Sequence, residues 1–131
     1  MDQERVHRYA SRSSRYRAGA SREIREGNWE RAEELLWGSL VGAVKAVAIS
    51  RGVELEDDED AKRYLAILAG EKRNRRLGNA FDQLASYSDI LYRIQDSTLG
   101  PDRLYNLVER VSYVVENLWE MLPPDEGGQQ V

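Results

Sequence analysis

Four cationic side chains lie within five residues near the middle of this chain: Lys72, Arg73, Arg75 and Arg76. An arginine guanidinium presents a planar fork of donors that matches phosphate oxygens, and the N-terminus of a following helix would add its dipole. Together with Tyr92, these side chains form our candidate anion or nucleotide site. The competing interpretation is a solvated basic segment that offsets a nearby acidic one.

The acidic segment that precedes this cluster has six carboxylates and no basic residue between positions 54 and 60. Carboxylates can hold a divalent cation, but this run lacks the alternate ligand spacing, the glycine and the terminal glutamate of a calcium loop. The acids instead suit the positive N-terminal end of a helix that begins there. We therefore expect neither a metal nor another cofactor.

The N-terminal segment alternates arginines with tyrosines, and base stacking combined with phosphate contacts would use such a set: Arg5, Arg8, Tyr9, Arg12, Arg15 and Tyr16. A direct RNA binder is therefore one alternative function. The formal net charge of −4 opposes it, because nucleic-acid-binding domains are usually basic.

Catalytic options are restricted by composition, since the 131 residues include no cysteine and a single histidine, His7. A cysteine nucleophile and a zinc site built on histidines are excluded, and histidine acid–base catalysis would need His7 itself. No Walker, Rossmann or Ser–His–Asp arrangement is present. The sequence favours a non-catalytic protein, and an enzyme that works through Arg73, Arg75, Arg76 and nearby tyrosines is a further alternative.

The expected location is the cytoplasm. No apolar run is long enough to cross a membrane, and Lys45 interrupts the longest one. The sequence MDQERVHRYASRS at the N-terminus is too polar for a signal peptide. Abundant arginine and glutamate are also typical of thermophile proteins.

Apolar spacing predicts an all-α fold, an antiparallel bundle of four main helices plus one short helix. Residues 1–122 form the single domain, and residues 123–131 are an expected disordered tail. The predicted helices span about 2–26, 28–51, 59–69, 80–95 and 101–122. The fourth helix begins or bends near Gly78 and Asn79.

The second predicted helix separates its residues by size. One side carries large apolar residues such as Leu36, Leu40 and Val44, and the other carries small ones such as Gly38 and Gly42. Glycine inside a helix costs roughly 1 kcal/mol relative to alanine, so two of them indicate a packing requirement. We expect another helix to lie close against this small face.

The segment YRAGASREIREGNWERAEELLWGSLVGAVKAVAISRG resembles the archaeal PaREP family, and YSDILYRIQDSTLGPDRLYNLVERV is similar to the closing half of that family. The resemblance spans about residues 16–122. Its matching positions are Gly27, Ala32, Glu33 or Glu34, Trp37, Lys45, Ala48, Arg51 and Gly52.

This resemblance implies a HEPN-like helical fold, because the PaREP family looks like a branch of the HEPN superfamily. It further implies a homodimer and a nucleotide or nucleotidyltransferase partner. The RNase branch of that superfamily uses an arginine followed four to six residues later by a histidine. His7 has no arginine at that spacing, so the resemblance does not carry RNase activity to this chain.

Overall fold

A computed structural model describes residues 3–124 and shows an all-α protein. The predicted disorder of the tail falls mainly on residues 125–131, which lie outside the described residues. None of the helices in residues 3–124 combines the length and the apolar composition that a membrane span requires. In chain order the helices are α1 Gln3–Arg25, α2 Trp29–Ser50, α3 Asp58–Lys72, α4 Arg75–Ala85, α5 Tyr87–Gln95 and α6 Asp102–Glu120.

Helices α1 and α2 form an antiparallel pair joined by a tight turn. Gly27 occupies this turn with a φ of 83°, a conformation that glycine adopts without steric cost. Asn28 stands at the N-cap of α2 as predicted, but its side chain donates to Glu23 instead of accepting a bond from the helix. The turn therefore ties the end of α1 to the start of α2.

The small face of α2 lies against α1, which confirms the packing expected from its two glycines. A Cβ placed on Gly42 would lie 3.3 Å from the carbonyl oxygen of Tyr9 and 3.4 Å from Cβ of Ser13. A Cβ on Gly38 would lie 2.5 Å from the ring of Tyr16. At Gly42 the backbone of α1 leaves little room for a side chain, and at Gly38 the ring of Tyr16 would have to move.

The opposite face of α2 forms the centre of the main core, and α2 contacts all the other helices. The largest fully buried side chains come from five helices, and Tyr87 is the aromatic among them: Leu36, Leu40, Leu65, Leu68, Leu77, Leu84, Tyr87, Leu104 and Leu118. Burial of a leucine side chain contributes roughly 1.5–3 kcal/mol, so this cluster is the main source of stability.

The acidic segment serves the start of α3, as its sequence suggested. Asp57 is the N-cap, and its Oδ1 accepts a 2.9 Å bond from the backbone N–H of Asp60. Asp60 Oδ2 in turn accepts a 2.9 Å bond from the backbone N–H of Glu56. This pair of bonds is similar to a capping box, except that the Asp60 carboxylate bonds to the residue before the N-cap.

The fourth predicted helix differs from the observed structure. It begins at Arg75, five residues early, and it is divided at Ser86 into α4 and α5. Asn74 explains the early start, because its side chain accepts a bond from the backbone N–H of Arg76. Ser86 has φ −90° and ψ 0°, and its hydroxyl donates to the Gln83 carbonyl, which satisfies the end of α4.

Candidate functional site

The predicted basic cluster surrounds the junction of α3 and α4. Lys72 is the last residue of α3, and Arg73 ends that helix in the left-handed conformation with a φ of 51°. Arg75 and Arg76 are the first two residues of α4. All four side chains are exposed, so the cluster by itself is a basic surface and not a cavity.

Only Arg76 of this cluster reaches a concave surface. Its guanidinium lies 5.1 Å from the ring centroid of Tyr113 on α6, in a cation–π contact. The Tyr113 hydroxyl also accepts a 3.3 Å bond from the side chain of Asn74. These two contacts hold the start of α4 against the middle of α6.

A cavity of about 510 Å³ opens beside the Arg76–Tyr113 pair, between α4 and α6. Every residue of its lining carries a polar group, and these groups include two guanidinium groups and one carboxylate. The residues that line it are Arg76, Asn79, Gln83, Asn106, Glu109, Arg110 and Tyr113.

A second cavity of about 280 Å³ continues the first along the same two helices. It shares Gln83, Asn106 and Arg110 with the first cavity and adds Ser86 and Arg103, together with the apolar side chains of Ile90 on α5 and Leu107 on α6. We call the two adjoining cavities the α4/α6 trough. The trough runs lengthwise along the helices because the two cavities share lining residues.

The pattern of buried residues explains why these polar side chains share one surface. Polar trough residues are at positions 76, 79 and 83 on α4 and at 86 just after it, and at 103, 106, 110 and 113 on α6, where Leu107 and Glu109 also contribute to the lining. Both series have the i, i+3, i+7, i+10 spacing of a single helix face. Leu77, Leu84, Leu104 and Val111 belong to the neighbouring faces and are buried in the core, so each polar series borders the contact between the helices.

The trough is electropositive, with Arg76, Arg103 and Arg110 against Glu109. The second cavity is lined by Arg103 and Arg110 and by no acid. Neither arginine has an ion pair or a side-chain hydrogen bond within residues 3–124. Both guanidinium groups therefore keep their donors available for an anion, to which arginine binds by paired hydrogen bonds.

The lining is suited to binding more than to acid–base chemistry. Among the residues that line the trough, Glu109 is the single carboxylate, and histidine, cysteine and lysine do not occur. Within residues 3–124 no three histidine, cysteine, aspartate or glutamate side chains converge as metal ligands would. The donors present are guanidinium, carboxamide and hydroxyl groups.

The structure separates the other predicted site residues from this trough. Lys72, Arg73 and Arg75 do not line it, and Tyr92 lies on α5 with 59% of its surface exposed, also outside the lining. Sequence reasoning missed Arg103 and Arg110. A search for polar residues repeated at helical spacing beside an apolar stripe would have found them.

The arginine-rich face of α1 is largely occupied by contacts within the chain. Arg5 forms two hydrogen bonds with Glu54, and the ring of Tyr9 lies between Arg12 and Lys45, at 5.5 Å and 5.8 Å. These contacts hold α1 against the rest of the domain. They give Arg5, Tyr9 and Arg12 a structural role.

Comparisons with protein-family models, with curated proteins and with solved structures find no match for this chain. The resemblance to the PaREP family therefore stays a prediction from the residue pattern.

Proposed function

We propose that this protein is a non-catalytic helical ligand-binding module, and that an anionic ligand binds in the α4/α6 trough. The observation that carries the proposal is the second cavity, where Arg103 and Arg110 face one space without an opposing carboxylate. A phosphate or carboxylate placed there would accept charge-assisted hydrogen bonds from both. A PaREP-type, HEPN-like identity and a nucleotide or nucleotidyltransferase partner belong to the same proposal.

The surroundings of the two arginines support a binding role over the enzymatic alternative. Gln83, Ser86 and Asn106 add neutral donors and acceptors that orient a ligand without taking its protons. A nuclease or nucleotidyl-transfer component would need a positioned base or a metal ion. Glu109 is the sole carboxylate of the lining, and no second acidic group joins it there.

Thermal denaturation at low ionic strength in the presence of pyrophosphate tests this proposal. A ligand at one hundred times its Kd stabilises a folded protein by about 2.7 kcal/mol, which raises the melting temperature by several degrees. We expect this shift for the native chain and its loss in the double variant Arg103→Gln, Arg110→Gln.

The matched control is Arg93→Gln, which removes an exposed arginine that is paired with Asp89 on α5. It should retain the pyrophosphate shift, because Arg93 does not line the trough. The proposal is wrong if pyrophosphate leaves the melting temperature of the native chain unchanged, or if the double variant is stabilised as strongly as the native chain.

A further inference from the structure

We infer that the α4/α6 trough binds an extended peptide segment with an acidic residue near each end. This inference rests on the proposed function, because the same arginines hold the anionic groups. It adds the class of ligand. The geometry of the trough restricts the length of the ligand, the positions of its charges and the groups that its central part must present.

The length of the trough follows from its helices. The lining runs from Arg76 on α4 to Ser86 just after it, and from Arg103 to Tyr113 on α6, a span of ten residue rises in each case. A helix rises 1.5 Å per residue, so the lining extends over about 15 Å. An extended peptide rises about 3.3 Å per residue, and about five residues would fill that distance.

The charges lie towards both ends because α4 and α6 are antiparallel along the trough. Arg76 shares the first cavity with Tyr113, whereas Ser86 shares the second with Arg103. Arg76, in the first turn of α4, therefore lies at one end of the trough, and Arg103, in the first turn of α6, lies at the other. Arg110 lies between them. A ligand with one negative group would engage a single end, whereas two groups separated by three residues would engage both.

The middle of the trough is lined by three carboxamides, Asn79, Gln83 and Asn106. None of their side chains makes a hydrogen bond within residues 3–124. Each carboxamide can donate and accept at the same time. This matches the alternating N–H and C=O groups that an extended peptide backbone presents.

A single-stranded nucleic acid fits the same surface less well. Such strands bind through successive aromatic faces, but Tyr113 is the single aromatic residue of the lining, and the Arg76 guanidinium lies over its ring. Glu109 can accept a bond from a peptide N–H, a donor that the backbone of a nucleic acid lacks. The net charge of −4 also opposes a polyanionic strand.

Fluorescence anisotropy with a labelled peptide tests the inference. The probe is Glu-Ala-Ser-Ala-Glu with blocked termini, and the control peptide replaces both glutamates by glutamine. We expect the acidic peptide to bind at least tenfold more tightly, because hydrogen bonds to charged groups are roughly twice as strong as neutral ones.

Two double variants distinguish this inference from the proposed function. Arg76→Gln with Asn79→Ala should weaken peptide binding about tenfold, because one acidic residue loses its partner. It should leave the pyrophosphate shift intact, since neither residue lines the second cavity. Arg103→Gln with Arg110→Gln should abolish both responses, and Arg93→Gln should change neither. The melting temperature of each variant without ligand reports whether the fold is kept.

The peptide inference is overturned if the glutamine peptide binds as tightly as the acidic one, if the Arg76→Gln, Asn79→Ala variant binds the peptide with native affinity, or if tri-uridylate binds more tightly than the peptide. In each of these outcomes a pyrophosphate shift that depends on Arg103 and Arg110 would still support the proposed function. Absence of the pyrophosphate shift from the native chain would contradict the proposed function instead.

Discussion

Ser13 and Ser39 donate hydrogen bonds to each other's backbone carbonyls across the contact between α1 and α2. The bond from Ser13 Oγ is 2.7 Å long and the bond from Ser39 Oγ is 2.9 Å long, and both side chains are fully buried. Ser13 Oγ also accepts a 2.9 Å bond from the indole of Trp119 on α6. One small hydroxyl therefore joins three helices.

We predict that Ser13→Ala destabilises the protein by about 1–3 kcal/mol, because it leaves the indole N–H of Trp119 and the carbonyl of Ser39 without this partner. Urea denaturation followed by circular dichroism measures the change. Ser14→Ala is the matched control on the same helix, since Ser14 is exposed and its replacement should change the free energy by less than about 0.5 kcal/mol. Equal stabilities of the two variants would show that the buried network contributes nothing.

Close packing of α1 on α2 gives a second prediction. Gly42→Leu should cost about 1–3 kcal/mol or more, because even its Cβ would lie 3.3 Å from the backbone oxygen of Tyr9, which cannot rotate away. Gly70→Ala on α3 is the control, because nothing lies within 4 Å of the added Cβ. That variant should be stabilised by roughly 0.5–1 kcal/mol, and an unchanged melting temperature for Gly42→Leu would contradict the packing argument.

The parts of the fold that were predictable from sequence are those with strong local signals. The bounds of α1, α2 and α6 follow from apolar spacing and from Gly27, Gly52 and Pro123. The glycines of α2 signalled its contact with α1 because a helix interior rarely keeps two residues of such poor propensity. The acidic run signalled the start of α3 because carboxylates stabilise exposed N–H groups there.

The division at Ser86 was not predictable, because its cause is tertiary. Tyr87 is fully buried, and its hydroxyl donates a 2.7 Å bond to the carbonyl of Trp29, which is far away in sequence. The trough was not predictable from sequence either, since the contact of Arg76 with Tyr113 depends on how α4 and α6 align. Asn74 is a residue type that favours an N-cap, so the start of α4 was predictable from sequence. It was overlooked because Asn74 lies within the basic cluster.

We predict that the purified protein has no histidine-dependent RNase activity. Acid–base catalysis by a positioned histidine contributes typically 10²–10⁴-fold, and His7 has no arginine at the required spacing. His7 is exposed on α1, away from the residues that line the trough. A fluorogenic RNA assay comparing the native chain with His7→Ala checks this, and cleavage that disappears in the variant would contradict it.

The homodimer that the family resemblance implies would need an exposed apolar surface. The apolar stripe of α6 is buried within its own chain, Trp29 packs edge-on against Tyr105, and Trp119 is covered by Arg17. These residues therefore have partners within their own chain. Among the large apolar side chains of the described residues, Ile67 on α3 is the most exposed, at 62%.

We retain the homodimer as a prediction and place its contact at Ile67. Sedimentation equilibrium at micromolar concentration should give twice the chain mass of 15.0 kDa, and Ile67→Glu should return the mass to that of one chain. Ile67→Val, which keeps an apolar side chain, is the control and should stay dimeric. A single species of 15.0 kDa at all concentrations would show that the native chain is a monomer.

The buried hydroxyl of Tyr87 predicts how stability depends on pH. Burial, and then the nearby carboxylate of Glu33, raise the pKa of Tyr87 above its ordinary value of 10.0. The folded protein therefore keeps this proton at a pH where the unfolded chain releases it. The contribution to stability is complete below about pH 10 and is lost as the pH rises further, by at most about 1.4 kcal/mol per pH unit.

Thermal denaturation between pH 7 and pH 11 measures this effect in the native chain and in Tyr87→Phe. At pH 7 the variant should be less stable by about 0.5–1.5 kcal/mol, because the hydrogen bond to the Trp29 carbonyl is lost. Above pH 10 its stability should fall less steeply than that of the native chain, so the difference between the two shrinks. Tyr92→Phe is the control, since Tyr92 is exposed, and it should follow the native profile. If Tyr87→Phe loses stability in alkali as steeply as the native chain, another group causes the alkaline unfolding and the role given to Tyr87 is wrong.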